Sequence, residues 1–310
     1  MGVKSFTLIG SSSGRNAGDA AILSGMMDAI DAAGNQRYLY EIPTFIPNFV
    51  YSAYQNRVRG VPMLPPALTA GMFGLPTWNS LNRTDATLIF DNMLFDRDWY
   101  NPLFNFMSTM YLMLPIIKKK GKTLGCYNIG AGPVTSDRGR NMLKVIGQTM
   151  DFIVVRDQES FDLFRDLGVE TPMTITADAA LNVASASPER IKEIMVKLGL
   201  GDAKEILALN VNAYLNTWAE GSTKPLSKEE FATTYAKAID EVAEQLGVPL
   251  LFVCTQHHDV SITKMVMERM KSKISKTIFS NIEHNHHEVK GVLSKVSLLF
   301  AMRLHASILC

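Results

Sequence analysis

Short apolar runs bounded by turn residues alternate with helical patterns along this chain, and that alternation constrains the fold more than any other feature. A run such as Ala86-Thr87-Leu88-Ile89-Phe90 has no polar second face, as a strand covered on both sides of a sheet requires. Strand-like runs at 4–9, 38–42, 86–90, 123–129 and 152–155 are separated by helical patterns at 19–33, 99–119, 138–150 and 159–167. After an irregular stretch at 181–204 a second set follows, with strands at 206–210, 250–255, 277–279 and 298–302 and helices at 228–246, 261–272 and 287–294. Ser187-Pro188 has the cap and first-position pattern of a helix start, so the junction falls there. The prediction is an α/β protein of two Rossmann-like domains facing across a cleft, 1–184 and 185–310. Residues 43–76, rich in proline, glycine and tyrosine, read as a loop or short-helix excursion over the first sheet.

Composition narrows the function classes. The 31 basic residues are matched by 30 acidic ones, so bulk charge gives no hold on a nucleic acid. Cys126, Cys254 and Cys310 are far apart and make no CxxC metal pair, and three make no even disulfide framework, which favours a reducing, cytoplasmic compartment. The N-terminal apolar patch is too short for a secretion signal. The greasy stretch 104–117 contains Asn105, Ser108, Thr109 and Pro115 and falls short of the roughly 20 apolar residues of a spanning helix. It reads as a buried or interfacial helix, with a use at the inner membrane face if the substrate is lipid-linked.

In open parallel sheets ligands bind beyond the carboxyl ends of the strands, so residues directly after the apolar runs are the first candidates. Gly10-Ser11-Ser12-Ser13-Gly14-Arg15-Asn16-Ala17-Gly18-Asp19 forms a strand-to-helix turn with backbone N–H groups suited to an anion or polar ligand. The letters also fit GxSxG with Ser12 as a nucleophile, or a flexible connection with a capping Asn or Asp. Against the nucleophile stand Arg15, Asn16 and Gly18, which intervene before Asp19 where the elbow needs an immediate helix. Gly121-Lys122-Thr123 precedes a strand and reads as a turn. His284, His286 and His287 do not share one helical face and read as a helix entrance, so no metal site is expected. Arg156 and Arg303 each abut the end of an apolar run, and His305 stands two residues beyond the second. Each arginine alone fits a structural ion pair equally well. Taken together they supply forked donors for carboxylate and phosphate, beside an imidazole able to move a proton near neutral pH.

The ordered set Asn16-Ala17-Gly18-Asp19 with Ala21-Ile22-Leu23, Gly130-Ala131-Gly132-Pro133, Arg156-Asp157 with Ser160, Leu167-Gly168-Val169, Asp178-Ala179-Ala180 and Arg303-Leu304-His305-Ala306 resembles the polysaccharide pyruvyl transferase family over nearly the whole length. The resemblance implies a fold like that of two-domain (GT-B-like) glycosyltransferases. It also implies phosphoenolpyruvate as donor, a sugar or lipid-linked saccharide of a cell-surface polymer as acceptor, and a cyclic pyruvate ketal as product. By position, Arg156 and Arg303 would bind the donor, His305 would be the general acid, and Asn16, Asp19 and Asp178 would line the cleft. No cofactor is required. Two departures stand out. Asp91-Asn92 occupies the place where the family usually carries Gly-Gly, adding bulk and charge near the cleft. The chain also stops at Cys310 within an apolar run, which leads to the expectation of an incomplete C-terminal domain. Two alternatives are a nucleotide-sugar glycosyltransferase of similar architecture and an inactive carbohydrate-binding relative.

Overall fold

The computed structural model describes residues 4–54, 57–63, 74–96, 106–214 and 226–310. Their contacts divide into two compact units, Met1–Gly14 with Ile22–Asn182 and Arg15–Ala21 with Val183–Cys310.

In the first unit the chain runs β1 (Ser5–Ile9), α1 (Ala17–Gly34, whose first residues belong to the second unit), β2 (Leu39–Thr44), α2 (Pro47–Tyr54), β3 (Val58–Pro62), α3 (Gly74–Arg83), β4 (Ala86–Leu94), α4 (Phe106–Lys119), β5 (Thr123–Ala131), α5 (Asp137–Thr149), β6 (Phe152–Val155), α6 (Gln158–Asp166) and β7 (Met173–Ile175). The strands form one parallel sheet in the order β3-β2-β1-β4-β5-β6-β7. Its inner strands are largely apolar because helices cover both faces, with buried polar residues such as Asp91 and Asn128 toward the carboxyl ends. Ile89, Leu124, Cys126, Ile153 and Phe164 pack in the core with α4 residues Met107, Met110 and Leu114. The chain winds outward from β1 to β3 and then returns to place β4 on the other side of β1. The β1/β4 boundary is therefore the crossover point, where a binding crevice opens beyond the strand ends.

The second unit repeats this logic with α7 (Pro188–Lys197), β8 (Leu207–Asn210), α8 (Lys228–Leu246), β9 (Leu250–Cys254), α9 (Asp259–Arg269), β10 (Lys276–Ser280), α10 (His286–Leu293), β11 (Leu298–Ala301) and α11 (Leu304–Ile308). Its parallel sheet has the order β10-β9-β8-β11, so the crossover lies between β8 and β11. Ser187 caps α7 through the Arg190 N–H, with Pro188 at the first position.

The expected loop or short-helix excursion at 43–76 holds in part: its short helix is present, but a strand joins the sheet as well. Residues 47–54 form a helix and 58–62 a strand that pairs with β2, while 64–73 lie outside the described residues. Pro43 sits inside β2 because the pairing of β2 with β1 ends at Glu41, so its missing N–H breaks no ladder bond there. Likewise the helix expected from residue 99 is described from Phe106, with 97–105 outside the described residues. Chain division also departs from the expected 1–184 and 185–310. Arg15–Ala21 belongs with the second unit, and the later boundary follows Asn182. The short segment is drawn there by backbone hydrogen bonds. Ala17 N–H donates to Thr255 O at 2.8 Å, His257 N–H to Arg15 O at 3.0 Å, and Asn16 bridges Gln256 in antiparallel fashion.

Candidate active site

At the carboxyl end of the second sheet, the last residue of β8 ties the strand ends together. Asn210 is fully buried; its Nδ2 donates to Val253 O at 2.8 Å, and its Oδ1 accepts the Arg303 N–H at 3.0 Å. Both halves of one amide are used, which fixes the turn leaving β11. Asp259, the first residue of α9, is likewise fully buried. It accepts the Ala213 N–H at 2.9 Å and faces Arg303 in a forked pair, Nε to Oδ2 and Nη2 to Oδ1, the latter at 2.7 Å. A carboxylate at a helix start is favoured by the helix dipole, and burial without Arg303 would be costly. The guanidinium also lies over the Tyr214 ring, 5.2 Å from its centroid. Among the described residues, Asp259 takes the Nε and Nη2 donors of the Arg303 fork, and no acceptor meets Nη1.

His305 is the second residue of α11, the helix entered directly from Arg303. Its ring lies against the start of α1. A Cβ at Gly18 would sit 2.4 Å from His305 Cγ, so only glycine permits this approach. Asn16 and Asp19 organise the same turn, with Asn16 Oδ1 accepting the Gly18 N–H at 3.0 Å and Nδ2 donating to Asp19 Oδ1 at 2.7 Å. Nearby, burial first and then the charges of Arg15 and His258 hold His257 below the ordinary histidine range. Arg303, His305, Asn16 and Asp19 therefore all belong to the second unit.

Arg156 and Asp178 belong to the first unit. Arg156 leaves β6 with its N–H on Ile129 O at 3.1 Å, and its guanidinium packs on Gly130, where a Cβ would come 3.1 Å from Nη2. Nη1 lies 3.1 Å from Asp178 Oδ2 and 3.6 Å from Asp91 Oδ1, with all three side chains largely buried. Asn128, at φ +58°, pins the loop that carries Asp178, donating to Ala177 O and accepting the Ala179 N–H, both at 2.8 Å. Asp91 sits in a β4 bulge at φ +64°, a conformation that Asp tolerates better than most side chains. Beside it, at the β1/β4 crossover, a cavity of ≈ 340 Å³ is lined on its polar side by Ser11, Ser12, Ser13, Thr44, Asp91 and Asn92.

The chain matches the description of the polysaccharide pyruvyl transferase family over residues 16–310, which takes in every one of these site residues except Arg15 and the three serines. It belongs to that family. A comparison with curated proteins returns no match. Among solved structures, this pyruvyl transferase family member is similar to the UDP-GlcNAc 2-epimerase of Methanocaldococcus jannaschii (TM-score 0.64, 12% identity, covering 99% of this chain and 81% of the other). It is also similar to the UDP-GlcNAc 2-epimerase of Neisseria meningitidis bound to UDP-GlcNAc (0.56, 12%, 97% and 78%) and to the E. coli ADP-heptose lipopolysaccharide heptosyltransferase II (0.50, 12%, 98% and 82%). At that identity the likeness shows the fold alone, the GT-B-like α/β architecture expected from the sequence.

Other motifs resolve to local structure. Ser12 Oγ donates to Pro43 O at 3.3 Å, in a loop that ends on the Asn16 turn and not on a nucleophile elbow. Gly121 ends α4 at φ +75°. His286 and His287 open α10 behind an Asn285–Glu288 capping box. Among the described residues no group of three His, Cys, Asp or Glu could hold a metal, and no helix is long and apolar enough to cross a membrane. Sequence reasoning missed Asn210, Tyr214, Asp259 and Asn128. The available signal was position, since Asn210 ends an apolar run as Arg156 and Arg303 do; Asp259 gave none, because its partner lies 44 residues away.

Proposed function

We propose that this protein transfers the pyruvyl group of phosphoenolpyruvate to a sugar of a cell-surface polysaccharide or its lipid-linked precursor, forming a cyclic ketal. The observation that carries the reading is the half-occupied Arg303 fork, directly followed by His305, in a chain of the pyruvyl transferase family. The Nη1 edge of Arg303 takes the donor's anionic end. His305 gives a proton to the methylene carbon, the positive charge developing at the neighbouring carbon is met by a sugar hydroxyl, and the C–O bond to phosphate then breaks. A second hydroxyl closes the ring. Two hydroxyl protons leave, one returning to His305 and one passing to phosphate or solvent. Asn16, Asp19 and Gly18 position the imidazole by fixing the turn against which it rests.

Arg156 meets a physical obstacle to the donor-binding part expected of it. Asp178 and Asp91 already surround its guanidinium, so its charge is balanced before any anion arrives. We therefore assign the Arg156–Asp178 pair to the acceptor side of the reaction. The reading is tested by phosphate release from phosphoenolpyruvate with a panel of sugar acceptors. Release that requires an acceptor and falls at least 100-fold in His305→Ala is expected; release unaffected by that substitution would sink it.

A further inference from the structure

We propose that Asp91 and Asn92 set the substrate class of the cavity at the β1/β4 crossover, making it a subsite for a neutral, hydroxyl-rich ring and not for an anion. The proposal rests on the pyruvyl transfer reading only in taking a sugar as one substrate. Three observations converge. The first is charge: Arg156 Nη1 stands 3.1 Å from one carboxylate and 3.6 Å from another, so one positive charge is shared between two negative ones where water screens poorly. An anion entering beside Asp91 meets a like charge, whereas a hydroxyl meets an acceptor. The second is the lining. Asn92 and Thr44 bring an amide and a hydroxyl to the cavity, and Phe45, Phe95 and Phe106 offer the apolar surface that a ring's C–H face packs on. The third is backbone: the bulge in β4 brings Asp91 to the cavity at φ +64°, a placement that a regular strand would not give.

The positive φ also supplies the test, because glycine and asparagine both accept it. Wild-type full chain, Asp91→Gly and Asp91→Asn are titrated with inorganic phosphate by calorimetry. They are also titrated with the methyl glycosides of galactose, glucose and N-acetylglucosamine by saturation-transfer NMR. At least one glycoside is expected to bind wild-type protein and to bind at least tenfold more weakly to Asp91→Gly. Phosphate is expected to bind about tenfold more tightly to both variants, since one carboxylate beside Arg156 is gone. That gain should vanish when Arg156→Gln is added. The proposal is overturned if phosphate displaces the glycoside from wild-type protein, if none of the three glycosides binds, or if affinities are the same in the variants. None of these readouts involves turnover, so failure of pyruvyl transfer itself would appear separately, in the phosphate-release assay.

Discussion

Replacing Asp259 by Asn tests whether the Arg303 fork is held by charge or merely by shape. The substitution keeps an oxygen for the Ala213 N–H and nearly the same volume, but removes the counter-charge from a guanidinium whose side chain is only 14% exposed. Removing one partner of a buried pair costs about 3–5 kcal/mol. The residual exposure of Arg303 lets water take part, so a loss near about 3 kcal/mol is expected. Since the chain has two compact units, a single melting curve would blend them. Native-state hydrogen exchange on the amides of β8, β9 and β11 reads the second unit by itself. Asp259→Leu combined with Arg303→Met should recover most of the loss, because matched apolar residues remove both desolvation penalties together. A loss in Asp259→Asn below about 1 kcal/mol, or a double variant as unstable as the sum of its singles, would refute the charge-based account.

Three further outcomes follow from the same geometry. Gly18→Ala should destabilise the second unit by about 1–3 kcal/mol and lower kcat for phosphate release more than it changes KM, because the new methyl must displace the His305 ring; steady-state kinetics with exchange rates checks both. Asn128→Ala should cost about 2–3 kcal/mol by orphaning Ala177 O and the Ala179 N–H and straining a positive φ, with Asn128→Gly relieving only the strain, as urea midpoints will show. Burial pushes His286 down from 6.5 to about 3, so the unfolded chain binds its proton first as pH falls. Stability from this group is complete above pH 6.5 and is lost toward pH 3 at about 1.4 kcal/mol per pH unit, a slope that should be absent from the pH dependence of His286→Phe.

Sequence alone determined the class of fold. Continuous apolar runs suit strands covered on both faces, as in β9, although the edge strand β11 leaves Leu298 and Phe300 exposed; the helices between the runs force parallel crossovers, so the α/β architecture and most elements were legible. It also marked Arg156 and Arg303, with His305 two residues on, since a charge directly after an apolar strand lies at the carboxyl edge of a parallel sheet. What each charge faces was decided by tertiary structure. Arg303 met Asp259, Arg156 met both Asp178 and Asp91, and Gly18 made room for His305 from 287 positions earlier in the chain. The same holds for Arg15–Ala21, whose hydrogen-bond partners at Thr255, His257 and Asn281 leave no local periodicity to read. Local pattern follows from the geometry of one helix or strand. Ion pairing follows from which strand ends the crossovers bring together, and that is fixed only when the sheets are complete.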